Sequence, residues 1–378
     1  MMRWSVLIAI VGRMAASQSL PLGQIIDDVQ CKADGAQRYS LYLPSHFTPL
    51  RKWSVIFAFD AGGRGRRAVE RYQAAAEKYG YIIAGSNNSR NGPWEVSLNA
   101  AKAMTADVEQ RFPVDTKRIY TAGMSGGARV AMKVAMDSKS IAGVFASSAA
   151  FPDDPRDEVP FPIFGSAGTD DFNHQEMHEL DRNLKSPHRV EVFDGGHTWL
   201  PVELAMDGVE WMEIQAMKAG LRDRDAKEID EIFAKRVARA EGQARSVDKM
   251  RELRSIAVDF QGMKDVSKFT ERAAVLERQA DVKDALKAER AEEELELRTT
   301  AEVYQLRDRM NNSAGFPKLK TRVTQLLEQS RSSQDSTDRR IARRVLAGLS
   351  ASSRSIHNPE FQELLNEIRP PGAPGQAQ

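Results

Sequence analysis

Arg118-Ile-Tyr-Thr-Ala-Gly-Met-Ser-Gly-Gly-Ala-Arg-Val-Ala-Met132 reads as a short apolar strand, a turn made of Gly123-Met124-Ser125-Gly126-Gly127, and the start of a helix. A serine held at the tip of a strand-to-helix turn needs small residues two positions before and two after it, because the turn leaves no room there for side chains. The bare G-x-S-x-G pattern arises by chance in many proteins; the strand before it and the helix after it give it the form of a nucleophile elbow. A serine hydroxyl is a poor nucleophile at neutral pH. A reactive Ser125 therefore requires a base within hydrogen-bonding reach and an acid that orients the base.

The chain has six histidines. His46, His174, His178 and His188 fall in strand-end or helix flanks, and His357 falls in a late helical region. His197 differs, because Asp194-Gly-Gly-His-Thr-Trp199 is a Gly-rich turn after the strand pattern 189–193 and before an apolar helix at 202–217. A base placed there can swing over the strand ends. The acid should lie between nucleophile and base in the chain, which selects the small-residue loop of Phe161–Asn173 with its adjacent Asp170 and Asp171. Neighbouring side chains on an extended segment point apart, so one of the two faces the histidine. Spacing from the strand favours Asp171; the other carboxylate is expected to be solvated or to cap the helix beginning near His174. Asp153, Asp154 and Asp157 stand among prolines and read as a surface loop rather than a metal site.

Attack on a carbonyl builds an oxyanion, which needs donors already in place. One is the N–H of Gly126. The other should come from Asp60-Ala61-Gly62-Gly63, where small residues let the main chain approach a substrate, with Gly62 the first choice and Ala61 the second. The polar loop Ser86 to Trp94 also follows a strand end, so Trp94 is a candidate apolar wall and Arg90 a candidate contact to an acidic group on the substrate. Met124 and Trp199, beside the nucleophile and base, complete the substrate-binding candidates.

Working outward, Arg38–Leu43 alternates as a half-exposed strand would, whereas Trp53–Phe59 is a short apolar run suited to burial on both faces. Tyr81–Ala84, Ile141–Ala146, Phe161–Phe164 and Arg189–Phe193 repeat the strand signal, with helical stretches near 68–78 and 94–112 between them. Strands alternating with helices predict an α/β domain over 25–219 with a mostly parallel, doubly wound sheet, whose ligands sit at the carboxyl ends of the strands. Past residue 220 the character changes. All five tryptophans lie at or before Trp211, and the later chain is rich in Ala, Arg, Glu, Lys and Leu. Ile229, Ile232, Phe233 and Val237 mark one helical face, and Leu253, Ile256, Ala257 and Phe260 another. Ile341, Val345, Leu346 and Leu349, then Phe361, Leu364, Leu365 and Ile368, continue the spacing. A smaller all-α domain over 220–369 and a flexible Pro/Gly tail at 370–378 are expected. Glu292-Glu-Glu294 reads as a solvated helix face.

With 378 residues the chain suits two domains, and 54 basic against 53 acidic side chains leave a net charge of +1. That balance offers no bulk field for nucleic acid or an anionic membrane. Cys31 is the single cysteine, which excludes an intramolecular disulfide and a Cys-rich zinc site; a buried strand thiol is expected. Residues 1–17 carry an arginine, a short apolar run and Ala15-Ala16-Ser17, the layout of a secretory signal peptide. The run is too short for a permanent anchor, so no integral membrane segment is expected in the mature chain, which would be periplasmic or secreted, or cytoplasmic without the signal.

Residues from about 31 to 218 resemble a compact α/β-hydrolase of the esterase group that includes polyhydroxybutyrate depolymerases, feruloyl esterases and dienelactone-hydrolase-like enzymes. The matching pieces are Tyr39-Ser-Leu-Tyr-Leu-Pro44, Asp60 to Gly65, Gly123-Met-Ser-Gly-Gly127, Gly168-Thr-Asp-Asp171 and Gly195-Gly-His-Thr-Trp199. The usual histidine-glycine opening of the oxyanion loop is replaced by Asp60-Ala61. The resemblance implies a triad of Ser125, Asp171 and His197, hydrolysis of a small-molecule or polymer-derived carboxylic ester, no metal and no organic cofactor. Two alternatives stay open. One is a serine peptidase of the prolyl-oligopeptidase kind, whose elbow carries a second glycine like Gly127 but whose β-propeller has no room here. The other is a hydrolase-fold platform whose C-terminal helices bind a partner protein or a second copy of the chain.

Overall fold

Eight strands form one sheet: β1 (Ile25–Gln30), β2 (Arg38–Tyr42), β3 (Trp53–Asp60), β4 (Tyr81–Ser86), β5 (Val114–Met124), β6 (Ile141–Ser147), β7 (Ile163–Gly168) and β8 (His188–Phe193). Their spatial order is β1-β2-β4-β3-β5-β6-β7-β8. β2 runs antiparallel to β1 and β4, and all other pairings are parallel. The computed structural model describes residues 20–311, 315–353 and 355–368; the expected signal segment and the tail 370–378 lie outside them.

Alternation along β3 shows why the sheet is covered twice. Val55, Phe57 and Phe59 join the core under α2 (Trp94–Arg111), α3 (Gly126–Asp137) and α4 (His174–Asn183). Ile56 and Ala58 join the core under α1 (Gly65–Tyr79) and α5 (Val202–Lys218). A strand with apolar residues on both faces can be stable only between two helical layers. This is the α/β-hydrolase arrangement, and the rest of the chain is helical. β2 departs from the half-exposed expectation, because its polar side chains find hydrogen-bond partners within the fold. Tyr39 Oη donates to Asp107 at 2.7 Å, and the Ser40 hydroxyl donates to the Asp27 carbonyl at 2.9 Å. β1, with its two adjacent aspartates, carried no strand signal; its pairing to β2 supplies what its letters lack.

The helical region comprises α6 (Ala226–Glu241), α7 (Ser246–Asp259), α8 (Ser267–Glu277), α9 (Ala280–Asp308), α10 (Gly315–Ser330), α11 (Thr337–Ser352) and α12 (Pro359–Ile368). It has two small cores. α6, α7 and α8 bury Ile229, Ile232, Leu253, Ile256 and Phe260 together with Ile214 and Met217 of α5, so α5 serves both regions. α10, α11 and α12 bury Leu326, Ile341, Leu349 and Phe361. The 29-residue α9 enters the first core at Val282 and the second at Val303.

The seam between the regions is polar as well as apolar. Arg189 of β8 is buried against Glu191 and against Glu252 and Asp259 of α7, and Trp211 Nε1 donates to Asp259 at 2.8 Å. Such buried pairs add little net stability, yet breaking one leaves an uncompensated charge, so they fix how the helices dock. Glu292-Glu-Glu294 corrects a sequence expectation. Instead of a solvated face, Glu292 accepts from Thr337 and Arg344 of α11, and Glu293 accepts from Arg182 of α4. Sequence displays the charges of this run but not the partners that face them. Cys31 is buried, and burial pushes its thiol up to about 11.

Candidate active site

The elbow is built as its glycines require. Ser125 has φ 57° and ψ −124°, a backbone conformation that L-residues avoid and that costs about 1–3 kcal/mol. A Cβ on Gly123 would fall 2.1 Å from the Gly127 carbonyl oxygen, and a Cβ on Gly127 would fall 2.0 Å from that of Phe59. Neither position admits any other residue. The turn is pinned by the Ser125 N–H donating to Ser147 of β6 at 2.8 Å.

The structure brings Ser125, His197 and Asp171 together in a line. Ser125 Oγ–H reaches His197 Nε2 at 2.8 Å, and His197 Nδ1–H donates to Asp171 Oδ1 at 2.7 Å. Asp171 is fully buried, and its Oδ1 also accepts the Asn173 N–H at 2.8 Å. Phe172 stacks on the imidazole with ring centroids 3.9 Å apart, which fixes the plane of the base. Below the acid loop, His174 Nδ1 lies 3.1 Å from the Gly168 carbonyl, and burial, with His178 nearby, pulls its pKa down to about 3. His174 is therefore a neutral strut at ordinary pH.

The oxyanion corner departs from the first sequence choice. Asp60, fully buried at the end of β3, accepts from the Gly62 N–H at 2.8 Å, from Arg64 Nε at 2.7 Å and from Trp199 Nε1 at 2.7 Å. The Gly62 N–H is thus turned to Asp60, which leaves Ala61 as the loop's candidate donor beside Gly126. Trp199 has a second part here, holding Asp60 as well as lining the cavity. The 86–94 loop is tied to the same corner. The Asn91 N–H donates to the Ala61 carbonyl at 2.8 Å, and Arg90 bridges Gly62 in antiparallel fashion. The Asn91 side chain lies so close over Gly126 that a Cβ there would meet its Oδ1 at 1.8 Å. Sequence reading marked this loop but not Asn91 within it.

A cavity of about 1290 Å³ opens above Ser125 and His197, and Met124, Arg90 and Trp199 all line it. Trp94 does not: it begins α2 after Pro93 and is 42% exposed, so the wall assigned to it from sequence is not in the cavity. The opposite wall comes from α10, α11 and α12, including Leu327, Leu346 and Ile368, which sequence reading did not connect to the site. α11 also grips the acid loop directly. Arg343 Nη1 donates to Asp170 Oδ2 at 2.8 Å, and Arg344 Nη1 donates to the Thr169 carbonyl at 2.8 Å. Asp170, expected to be solvated or to cap α4, is instead this helix's ion-pair partner. Elsewhere Asp153 pairs with Arg156 and Asp157 with Lys185, and no group of three or more metal-ligating side chains is found among the described residues.

Comparison with protein-family models and with curated proteins gives no match to the chain. Solved structures similar to it include Est1E from Butyrivibrio proteoclasticus, at 14% identity and a TM-score of 0.40, covering 50% of this chain and 99% of that one. A feruloyl esterase module from Clostridium thermocellum matches at 13% identity and 0.40, covering 48% of this chain and 86% of that one. The carboxylesterase EstE1, cloned from a metagenomic library, matches at 12% and 0.39, covering 53% and 90%. No helix among the described residues is long and apolar enough to cross a membrane.

Proposed function

We propose that the protein is a serine hydrolase that cleaves carboxylic esters through an acyl-enzyme. The observation that carries this reading is the hydrogen-bonded line from buried Asp171 through His197 to Ser125, ending on a serine in a strained elbow. His197 takes the proton of Ser125 Oγ as the oxygen attacks the ester carbonyl, and returns it to the departing alcohol. Asp171 holds the Nδ1–H tautomer and stabilises the imidazolium. Water, activated by the same imidazole, then releases the acid. The Gly126 and Ala61 N–H groups receive the developing oxyanion. Because α10 to α12 supply a wall of the cavity, these helices are read as part of the substrate site rather than as a recruiting surface. Residues 1–17 are read as an export signal, which makes the enzyme periplasmic or secreted.

The test is hydrolysis of short acyl esters by the full chain beside its Ser125→Ala variant. The variant, unchanged in circular dichroism and melting, should lose roughly 10⁵-fold or more in kcat. Parallel assay of aminoacyl amides separates an esterase from a peptidase, the amides turning over far more slowly. A wild type that hydrolyses no short acyl ester refutes the reading.

A further inference from the structure

The arginines of the cavity wall fall into two groups. Arg64 and Arg343 are engaged by carboxylates of the protein, Asp60 and Asp170 respectively. Arg67, Arg90 and Arg331 line the same cavity and take part in no ion pair among the described residues. The wall offers them one further carboxylate, Glu367 at the end of α12. Three guanidinium groups against one carboxylate leave an excess of positive charge in the lining of the cavity that contains the candidate nucleophile, in a protein whose net charge is only +1.

These three residues do not share one charged helix face. Arg67 lies on α1, Arg90 on the loop before α2, and Arg331 directly after α10, so both halves of the chain converge to place them. Arg90 is anchored: its N–H donates to Ser97 Oγ at 3.2 Å, the Ser97 hydroxyl donates back to its carbonyl at 3.0 Å, and its backbone bridges Gly62 at the oxyanion corner. Like charges gathered around a partly enclosed cavity repel one another, and a guanidinium fork is the group best matched to a carboxylate. Leu327, Leu346 and Ile368 add an apolar surface to the same lining, Leu327 lying in α10 just ahead of Arg331.

From this division, and resting on the esterase reading above, we infer that the substrate is an ester carrying a second, ionised carboxylate separated from the scissile bond by a hydrocarbon spacer. The spacer lies on the apolar wall. The free carboxylate is held by Arg67, Arg90 and Arg331, with Glu367 disfavouring a second anion beside it.

The test compares matched ester pairs on the full chain. One pair is mono-4-nitrophenyl adipate and its methyl ester, which puts the charge on the acyl side. The other is the butyrate ester of 6-hydroxyhexanoic acid and that of its N-methylamide, which puts the charge on the alcohol side. The inference expects kcat/KM at least about tenfold higher for the anionic member of one pair, the size of one charge-assisted hydrogen bond. The preference should shrink as salt is raised, and Arg67→Gln, Arg90→Gln and Arg331→Gln should each lower the ratio of anionic to neutral kcat/KM. Equal kcat/KM within both pairs overturns this inference and leaves the esterase reading standing, as does a preference that survives all three substitutions. No turnover of any of the four esters refutes both.

Discussion

On the sheet side of the cavity, Ser125, Asp171 and His197 each stand within four residues of the end of β5, β7 or β8. On the helical side, Leu327, Arg343, Arg344 and Leu346 sit inside amphipathic helices, where a stripe of apolar letters announces a buried face but not its partner. The first group is fixed by local chemistry: a glycine that only fits one turn, or a loop that must follow a buried strand. The second is fixed by docking over long chain separations, 173 residues from Arg343 to Asp170 and 175 from Arg344 to Thr169. The two halves therefore contribute to one site by different means, and substitutions in them should fail differently.

The largest expected effect belongs to the sheet side. Asp171→Asn removes the anion that selects the Nδ1–H tautomer and should lower kcat by about 10⁴-fold with the melting temperature nearly unchanged. A loss of tenfold or less would mean that the line of hydrogen bonds is not what activates Ser125. On the helical side the loss should appear as stability. Arg344, only 3% exposed, neutralises Glu296 and Glu292 while holding Thr169, so Arg344→Met strands the buried Glu296 carboxylate and should cost about 3–5 kcal/mol in denaturant unfolding. If Arg344→Met unfolds like the wild type, α11 is not the clasp on the acid loop that its contacts describe.

How much of this was legible follows the same division. The elbow, the turns after β7 and β8 that carry Asp171 and His197, and the doubly covered sheet could be read because each rests on a short run of residues adjacent in the chain. The choice of Gly62 as oxyanion donor failed because Asp60, two residues earlier, captures that N–H, and sequence does not say which way a buried carboxylate turns. Asp170 and Glu292 were misread for a similar reason: their partners, Arg343 and Arg344, come from a helix whose docking no local pattern encodes. The helix start at Trp94 was legible, but the direction its ring takes from the first turn of α2 was not, and that direction carries it out to solvent and away from the cavity that Arg90 and Asn91 do line.

Two smaller effects sharpen these corrections. Trp199→Phe deletes one of the donors on buried Asp60 and should lower kcat by about tenfold because it loosens the oxyanion loop, while the phenyl ring keeps an aromatic wall in the cavity and leaves KM much less affected. An unchanged kcat would detach Asp60 from catalysis. Trp94→Ala should alter kcat/KM by no more than about twofold on any ester, as for other surface positions. A change in ester selectivity there would restore the wall that the structure removes.

The central claim is that Ser125 is the group that becomes acylated, and the most direct measurement is the intact mass of the full chain after exposure to a fluorophosphonate. One adduct per chain is predicted, located on the peptide containing Gly123-Met-Ser-Gly-Gly127, lost in Ser125→Ala and strongly slowed in His197→Ala. A chain that takes no label, or takes it on another residue with Ser125 unmodified, would contradict the account.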